Sequence, residues 1–304
     1  MFALDASFRP RPAAPVRLPV QRTRGCAGFS AALLRGAVQA TDPVIAVDHF
    51  RMTQPTFGAH PQAGFSAVTH VLPGSETALI VRDPLGGQRL IEAGNVRWTM
   101  AGRGVMHKEV PADVGRTAHG LQMFVNLPAA QQQRAPAVLH LAAERMPRRY
   151  GRGWHAVQVF GGTAPLALPV LAALRREQVQ AGADDSAELA DGEQGFAWLI
   201  NGQARLGSDA SVNAVTDAVT DGDAWVLRPD ETARAVHATT TLQEAVLSGR
   251  PLREPVVQHG PFVMNSEAEI VLAPQRFQAD DMGRLASAHA MDSKLLPAPE
   301  TPAA

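Results

Sequence analysis

The sequence predicts an all-β chain built as two tandem barrels with a few short helices. Length is the first observation: 304 residues exceed most single domains and suit two. The second is the punctuation. The 26 glycines and 23 prolines are scattered rather than periodic, so they break the chain into many short elements. The third is what lies between the breaks: short β-branched runs, with turn signals about every eight to twelve residues, as in barrels and sandwiches.

Taken in order, residues 29 to 50 mix apolar pairs with Thr and Asp and end in a β-branched run, Pro43 to Phe50, that reads as a strand. Pro55, Gly58 and Pro61 then interrupt the chain. Residues 65 to 72 and 77 to 82 read as strands separated by the Pro73-Gly74 turn. Asp83-Pro84-Leu85-Gly86-Gly87 is a hairpin signal, because Pro presets one turn dihedral and Gly supplies positive φ. Residues 89 to 92, 95 to 100 and 120 to 127 complete about six strands. Residues 128 to 150, with Pro128, Pro136 and Pro147, are expected to join two domains.

The second half repeats the style, with expected strands at 155 to 160, 168 to 174, 178 to 180, 196 to 201, 203 to 206, 224 to 227 and 234 to 238. The acidic stretch 183 to 194 is expected to be a loop. Gly222-Asp223 precedes Ala224 to Leu227 as Gly94-Asn95 precedes Val96 to Met100, which suggests two related barrels. Glu267 to Leu272 reads as a helix, with Ser266 and Glu269 as a capping box and Pro274 expected to end or kink it. The expected division is a first domain over 1–145, a second over 146–290 and a disordered tail over 291–304.

Composition excludes several functions. A net charge of −1 gives no bulk attraction to nucleic acid or to an anionic membrane. No run approaches the roughly 20 apolar residues of a membrane span. Residues 1 to 25 carry scattered arginines and prolines with no long apolar stretch, so a signal peptide is not expected and a cytoplasmic location is. The single cysteine, Cys26, excludes a disulfide framework and is expected to be a structural or surface thiol.

The chemistry concentrates in two short pairs. His60 and Gln62 stand two apart, as do His107 and Glu109, and residues at i and i+2 share a face of a strand. Two such pairs on facing strands can converge four side chains on one ion. Two imidazoles and a carboxylate form the ligand set of non-haem Fe(II) oxygenases, and the Gln62 amide oxygen would be a fourth, weak, neutral donor. His-X-Glu by itself is common and mostly marks solvated residues. Gly102 and Gly104, just before His107, would let the backbone turn tightly at a barrel rim.

At this point the sequence resembles the pirin family. The resemblance rests on His60-Pro61-Gln62-Ala63-Gly64-Phe65, Val68-Thr69, Arg82 to Gly86, Trp98 to Glu109, His119 to Pro128 and, far downstream, Glu254 to Asn265. It spans about residues 40 to 275. It implies a bicupin fold, two cupin (jelly-roll) barrels in tandem, with one iron held in the first by three His and one Glu and no metal in the second. The matching positions are His60, Gln62, His107 and Glu109, so one family histidine is replaced by Gln62. An amide oxygen is a weaker and harder ligand than imidazole. The change should lower affinity, move preference from Fe(II) toward Mn(II) or another first-row metal, or leave the site empty.

No other histidine is expected to substitute. His70 lies eight residues past Gln62, about 26 Å along a straight strand at about 3.3 Å per residue. His70 and His119 are expected to pack in the core, and Asp48 and His49 to be structural. Trp98 and Phe124 are expected to pack the barrel or to line a pocket for an aromatic ligand. The resemblance implies two alternative functions. One is a quercetin 2,3-dioxygenase-type reaction on a flavonol or other small aromatic. There the metal binds a ligand oxygen, Glu109 takes the hydroxyl proton, dioxygen opens the central ring and carbon monoxide leaves. The other is a non-catalytic regulator acting through protein contacts with a weakened or lost metal site. The family leans toward monomers.

Overall fold

Two β-barrels lie back to back in the computed structural model, which describes residues 16–23, 28–187, 189–207, 217–227 and 234–285. The strands of the first barrel are β1 (Val20–Thr23), β2 (Phe29–Leu34), β3 (Val44–Met52), β4 (His60–Gln62), β5 (Phe65–Val71), β6 (Leu79–Asp83), β7 (Gly87–Ile91), β8 (Val96–Met100), β9 (Val105–Pro111), β10 (Ala118–Asn126) and β11 (Ala137–Leu141). They form a large sheet, β1-β2-β3-β10-β5-β8-β11, facing a small one, β4-β9-β6-β7. The second barrel repeats this layout. Its large sheet is centred on Ala172–Val179, Leu242–Gly249 and Gln194–Asn201, and its small sheet contains Gln203–Gly207 and Arg234–Ala238.

Alternation along the strands explains the packing. On β3, Phe50 and Met52 turn into the first barrel with Val81 and Ile91. Val47, on the other face, joins Trp98, Met123 and Val125 in a core shared with Phe160, Leu174, Phe196 and Trp198 of the second barrel. The two large sheets therefore bury each other, and their strands read as nearly continuous apolar runs; all seven residues of β5 are buried. Trp98 meets Phe160 edge to face, with centroids 5.2 Å apart.

The two glycine turns singled out in the sequence are superimposable in their bonding. Gly94 N donates to Val71 O and Val71 N to Asn95 O, while Gly222 N donates to Leu199 O and Leu199 N to Asp223 O. Both glycines have positive φ, 89° and 77°. The two barrels thus share a turn as well as an architecture.

The chain ends cross between barrels. Leu18 N bonds Ala224 O in the second barrel, and Val263 N bonds Ala63 O in the first. Gly64, at φ 86°, permits the latter approach, because a Cβ there would stand 1.5 Å from the Val263 carbonyl oxygen.

Several expectations are corrected. The stretch read as a domain connection, 128 to 150, contains β11, which pairs with β8 at the sheet edge, and Arg148–Gly151, which opens the second large sheet. The acidic loop contains a strand, Asp184–Ala187, paired with Arg234–Ala238. A strand expected at 168 to 174 begins at Ala172 and runs on to Val179, absorbing the separate one at 178 to 180. The C-terminal helix, Glu267–Gln278, continues through Pro274, with Ile270 and Ala273 buried in the turn that precedes it. Its cap is as read: Ser266 Oγ accepts from Glu269 N at 3.3 Å. Cys26 and the tail from 291 lie outside the described residues. Among the described residues, no helix is long and apolar enough to cross a membrane.

Candidate metal centre

The site is built on the small sheet of the first barrel. Strands β4 and β9 pair antiparallel with His60 opposite His107 and Gln62 opposite Val105. The two-residue period places His60, Gln62, His107 and Glu109 on one face. Gly102 starts β9 correctly: its φ is 52°, and a Cβ there would meet the Arg134 carbonyl oxygen at 2.3 Å.

Two of the four sequence candidates meet directly. His60 Nε2 and His107 Nε2 are 2.8 Å apart, with the rings nearly perpendicular. His60 Nδ1 lies 3.0 Å from Gly58 O, which assigns the proton to Nδ1 and leaves Nε2 as a lone pair. His107 is buried, and burial first, then His60 and Arg97, lowers its pKa to about 3. His107 is thus neutral at pH 7, the form in which histidine binds metal.

Glu109 lines the same cavity but is turned to other partners. Thr69 Oγ1 donates to its Oε1 at 2.9 Å, and Gln122 Nε2 to its Oε2 at a long 3.4 Å. Burial raises its pKa; the Thr69 hydrogen bond and Arg97 oppose that rise. Gln62 is buried and its Oε1 has no hydrogen-bond partner among the described residues. Among the described residues, no three His, Cys, Asp or Glu side chains converge closely enough to hold a metal ion. The arrangement is two facing imidazoles, His60 and His107, with the Glu109 carboxyl group lining the same cavity.

Beneath the site, Asp83 pairs with Arg97, both almost fully buried. Asp83 Oδ1 also accepts from Leu85 N and Gly86 N at 2.8 Å each, fixing the β6–β7 hairpin. Asp48, Gln122, Thr69 and Arg97 lie in cross-strand register over β3, β10, β5 and β8, a polar row across the large sheet. Sequence reasoning assigned no role to Thr69, Arg97 or Gln122. The available signal was polar residues in the middle of strands whose neighbours are Val, Leu and Met.

The cavity above the imidazoles has a volume of about 330 Å³, within the usual range for a small-molecule site. Phe29, Leu33, Phe50, Met52, Phe57 and Phe124 supply apolar walls. Arg35 and Asp48, an ion pair, also line it. Trp98 is fully buried in the inter-barrel core and does not reach it, whereas Phe124 does. His70 is fully buried, its Nδ1 3.0 Å from Asn95 O, and takes no part in the site. His119 is a buried residue bonded to His49.

Comparison with known proteins agrees with this architecture. Residues 27–125 match the Pirin family model and residues 176–283 match the Pirin C-terminal cupin domain. The pirin-like protein of Solanum lycopersicum is 30% identical over 262 residues, covering 82% of this chain and 84% of the relative. A Pseudomonas aeruginosa protein provisionally named quercetin 2,3-dioxygenase is 30% identical over 247 residues, covering 75% of this chain and 82% of the relative. Among solved structures, a quercetin 2,3-dioxygenase from Acinetobacter baumannii superposes with a TM-score of 0.76 at 23% identity, over 90% of this chain and all of that one.

Proposed function

The chain belongs to the pirin family of two-cupin proteins, and from that premise we propose that its first barrel is a metal-dependent dioxygenase site of the quercetin 2,3-dioxygenase type, acting on a flavonol or another small hydroxylated aromatic. The observation that carries this reading is the cavity itself: aromatic walls lead down to two mutually facing imidazoles and a buried carboxyl group. Relatives named as quercetin 2,3-dioxygenases, and a bacterial pirin from Escherichia coli solved with nickel(II), support it.

His60 and His107 would hold the ion through Nε2, with Glu109 as the carboxylate donor and Gln62 as a weak fourth. When bound, a divalent metal supplies Lewis acidity toward a ligand oxygen and a place for dioxygen. The protein's own residues do the rest. The phenylalanines exclude water and favour a flat apolar ring. Thr69 holds Oε1 of Glu109, which leaves the loosely bonded Oε2 as the atom to take the ligand's hydroxyl proton. Arg97 and Asp83 fix the floor against which Glu109 is set. Iron(II) is the ion proposed, with manganese or another first-row metal favoured if the Gln62 oxygen takes part.

Turnover of quercetin with added Fe(II), Mn(II), Ni(II) or Cu(II), read as carbon monoxide release, tests this. Turnover with at least one metal, abolished in Glu109→Gln, is expected. No turnover with any metal would remove the dioxygenase reading for flavonols. One observation favours a second reading, a regulatory pirin acting through protein contacts: the donor set is open at Gln62. Under that reading the protein keeps the barrel and its cavity without metal uptake.

A further inference from the structure

A second histidine pair lies on the large sheet of the first barrel, on the face turned away from the candidate metal centre. His49 Nε2 and His119 Nε2 are 2.7 Å apart, with the rings stacked at 4.9 Å. Register explains what surrounds them. Arg22, Ala32 and His49 are cross-strand neighbours over β1, β2 and β3, and Ser30, Arg51 and His119 are neighbours two residues along. Alternation puts all six on one face, while Ala31 and Phe50 between them turn into the first barrel. That face looks toward the second barrel, where Trp198 meets His49 edge-on at 6.3 Å.

Between the barrels this face forms a cleft of about 340 Å³, with Arg22, Ser30, His49 and Arg51 on one side and Ile200, Asp221 and Gly222 on the other. Its lining is mainly polar, unlike the aromatic cavity. Arg22 is seated across the cleft: it donates to the backbone carbonyl of Asp221, and a Cβ at Gly222 would stand 2.9 Å from its Nη2. Neither Arg22 nor Arg51 forms an ion pair with a carboxylate among the described residues. The nearby acids are otherwise engaged. Asp221 Oδ1 accepts from Gly202 N at 2.6 Å, and Glu76, which feels Arg51, accepts from Thr117 N at 2.8 Å.

The same histidine pairing thus sits in opposite electrostatic surroundings at the two sites. Beside His60 and His107 stands a carboxyl group. Beside His49 and His119 stand two guanidiniums, which disfavour a cation and favour an oxyanion. Burial first, then His119, Arg51 and Arg22, lowers the His49 pKa to about 3, so the positive charge belongs to the arginines. We propose that the inter-barrel cleft binds a phosphate-bearing small molecule through Arg22 and Arg51, with the Ser30 hydroxyl as a further donor.

The test is calorimetry of the full chain at constant ionic strength, with inorganic phosphate, pyrophosphate and adenosine monophosphate as probes. At least one should bind saturably at one site per chain. Tighter binding of the nucleotide than of inorganic phosphate identifies an organic phosphate as the ligand, and the reverse identifies the free anion. Arg51→Gln and Arg22→Gln should each weaken binding tenfold or more, and Arg149→Gln, exposed and outside the cleft, should not. Ser30→Asp, which adds a carboxylate, should abolish binding through charge alone. Absence of saturable binding by all three probes, or undiminished binding in both arginine variants, overturns the proposal.

Discussion

Gln62 stands opposite Val105, two positions along the β4–β9 pair from the facing His60 and His107, and its buried Oε1 accepts no hydrogen bond among the described residues. A buried acceptor without a donor is uncommon and costly. Position 62 is also the one at which the family resemblance implies a histidine. Gln62→His should therefore tighten divalent metal binding tenfold or more, because imidazole outranks an amide oxygen for first-row metals. The increase can be read independently of activity, as a larger metal-induced rise in melting temperature. Equal affinity in the two proteins would show that position 62 does not limit the site.

The Asp83–Arg97 pair carries both the hairpin turn and the floor under Glu109. Removing one partner leaves a buried charge and two unbonded turn amides. Asp83→Ala should destabilise the fold by about 3–5 kcal/mol in denaturant unfolding. A loss under about 1 kcal/mol, the scale of an exposed pair, would contradict the burial of both groups.

Phe57 is 44% exposed and meets Phe29 edge to face at 4.8 Å over the cavity. Phe57→Ala should weaken flavonol binding by about 0.5–1.5 kcal/mol, the worth of an aromatic contact beyond its area. Its exposure implies a change in stability within roughly 0.5 kcal/mol. Unchanged flavonol affinity would place the ligand elsewhere.

His70 provides a pH test away from the metal ligands. Burial first, then Arg176, lowers its folded pKa from 6.5 to about 3, against the opposing Asn95 carbonyl. The unfolded chain binds the proton that the fold excludes, so stability falls as pH drops from about 6.5 toward 3. His70→Gln should flatten the decline of melting temperature over that window, though not remove it, since His49, His119 and His140 are also depressed. Equal slopes would show that His70 is protonated or solvated in the fold.

The fold was legible where local signals were strong. β-Branched runs and Gly or Pro turns located β3, β5 and β8, and the repeated Gly-Asn and Gly-Asp turns revealed the internal relationship. Edge strands escaped, because β11 and Asp184–Ala187 are specified by the neighbour they pair with rather than by their own composition. Pro274 argued against a continuous helix, but packing of Ile270 and Ala273 just before it overrode propensity. At the site, spacing and resemblance identified His60, Gln62, His107 and Glu109. They gave no sign that Thr69 and Gln122 hold Glu109, which depends on register across strands far apart in sequence. The crossing of the chain ends was likewise invisible, being a contact between residues about 200 apart.

The central claim, a divalent metal held by His60, His107 and Glu109, is tested most directly by metal analysis. Purified protein would be reconstituted anaerobically with Fe(II) or Mn(II), desalted and analysed by mass spectrometry beside His107→Ala. Near-stoichiometric metal in the native sequence, lost in the variant, is the expected result. Metal below a tenth of an equivalent after reconstitution with both ions, or equal metal in the variant, would contradict it.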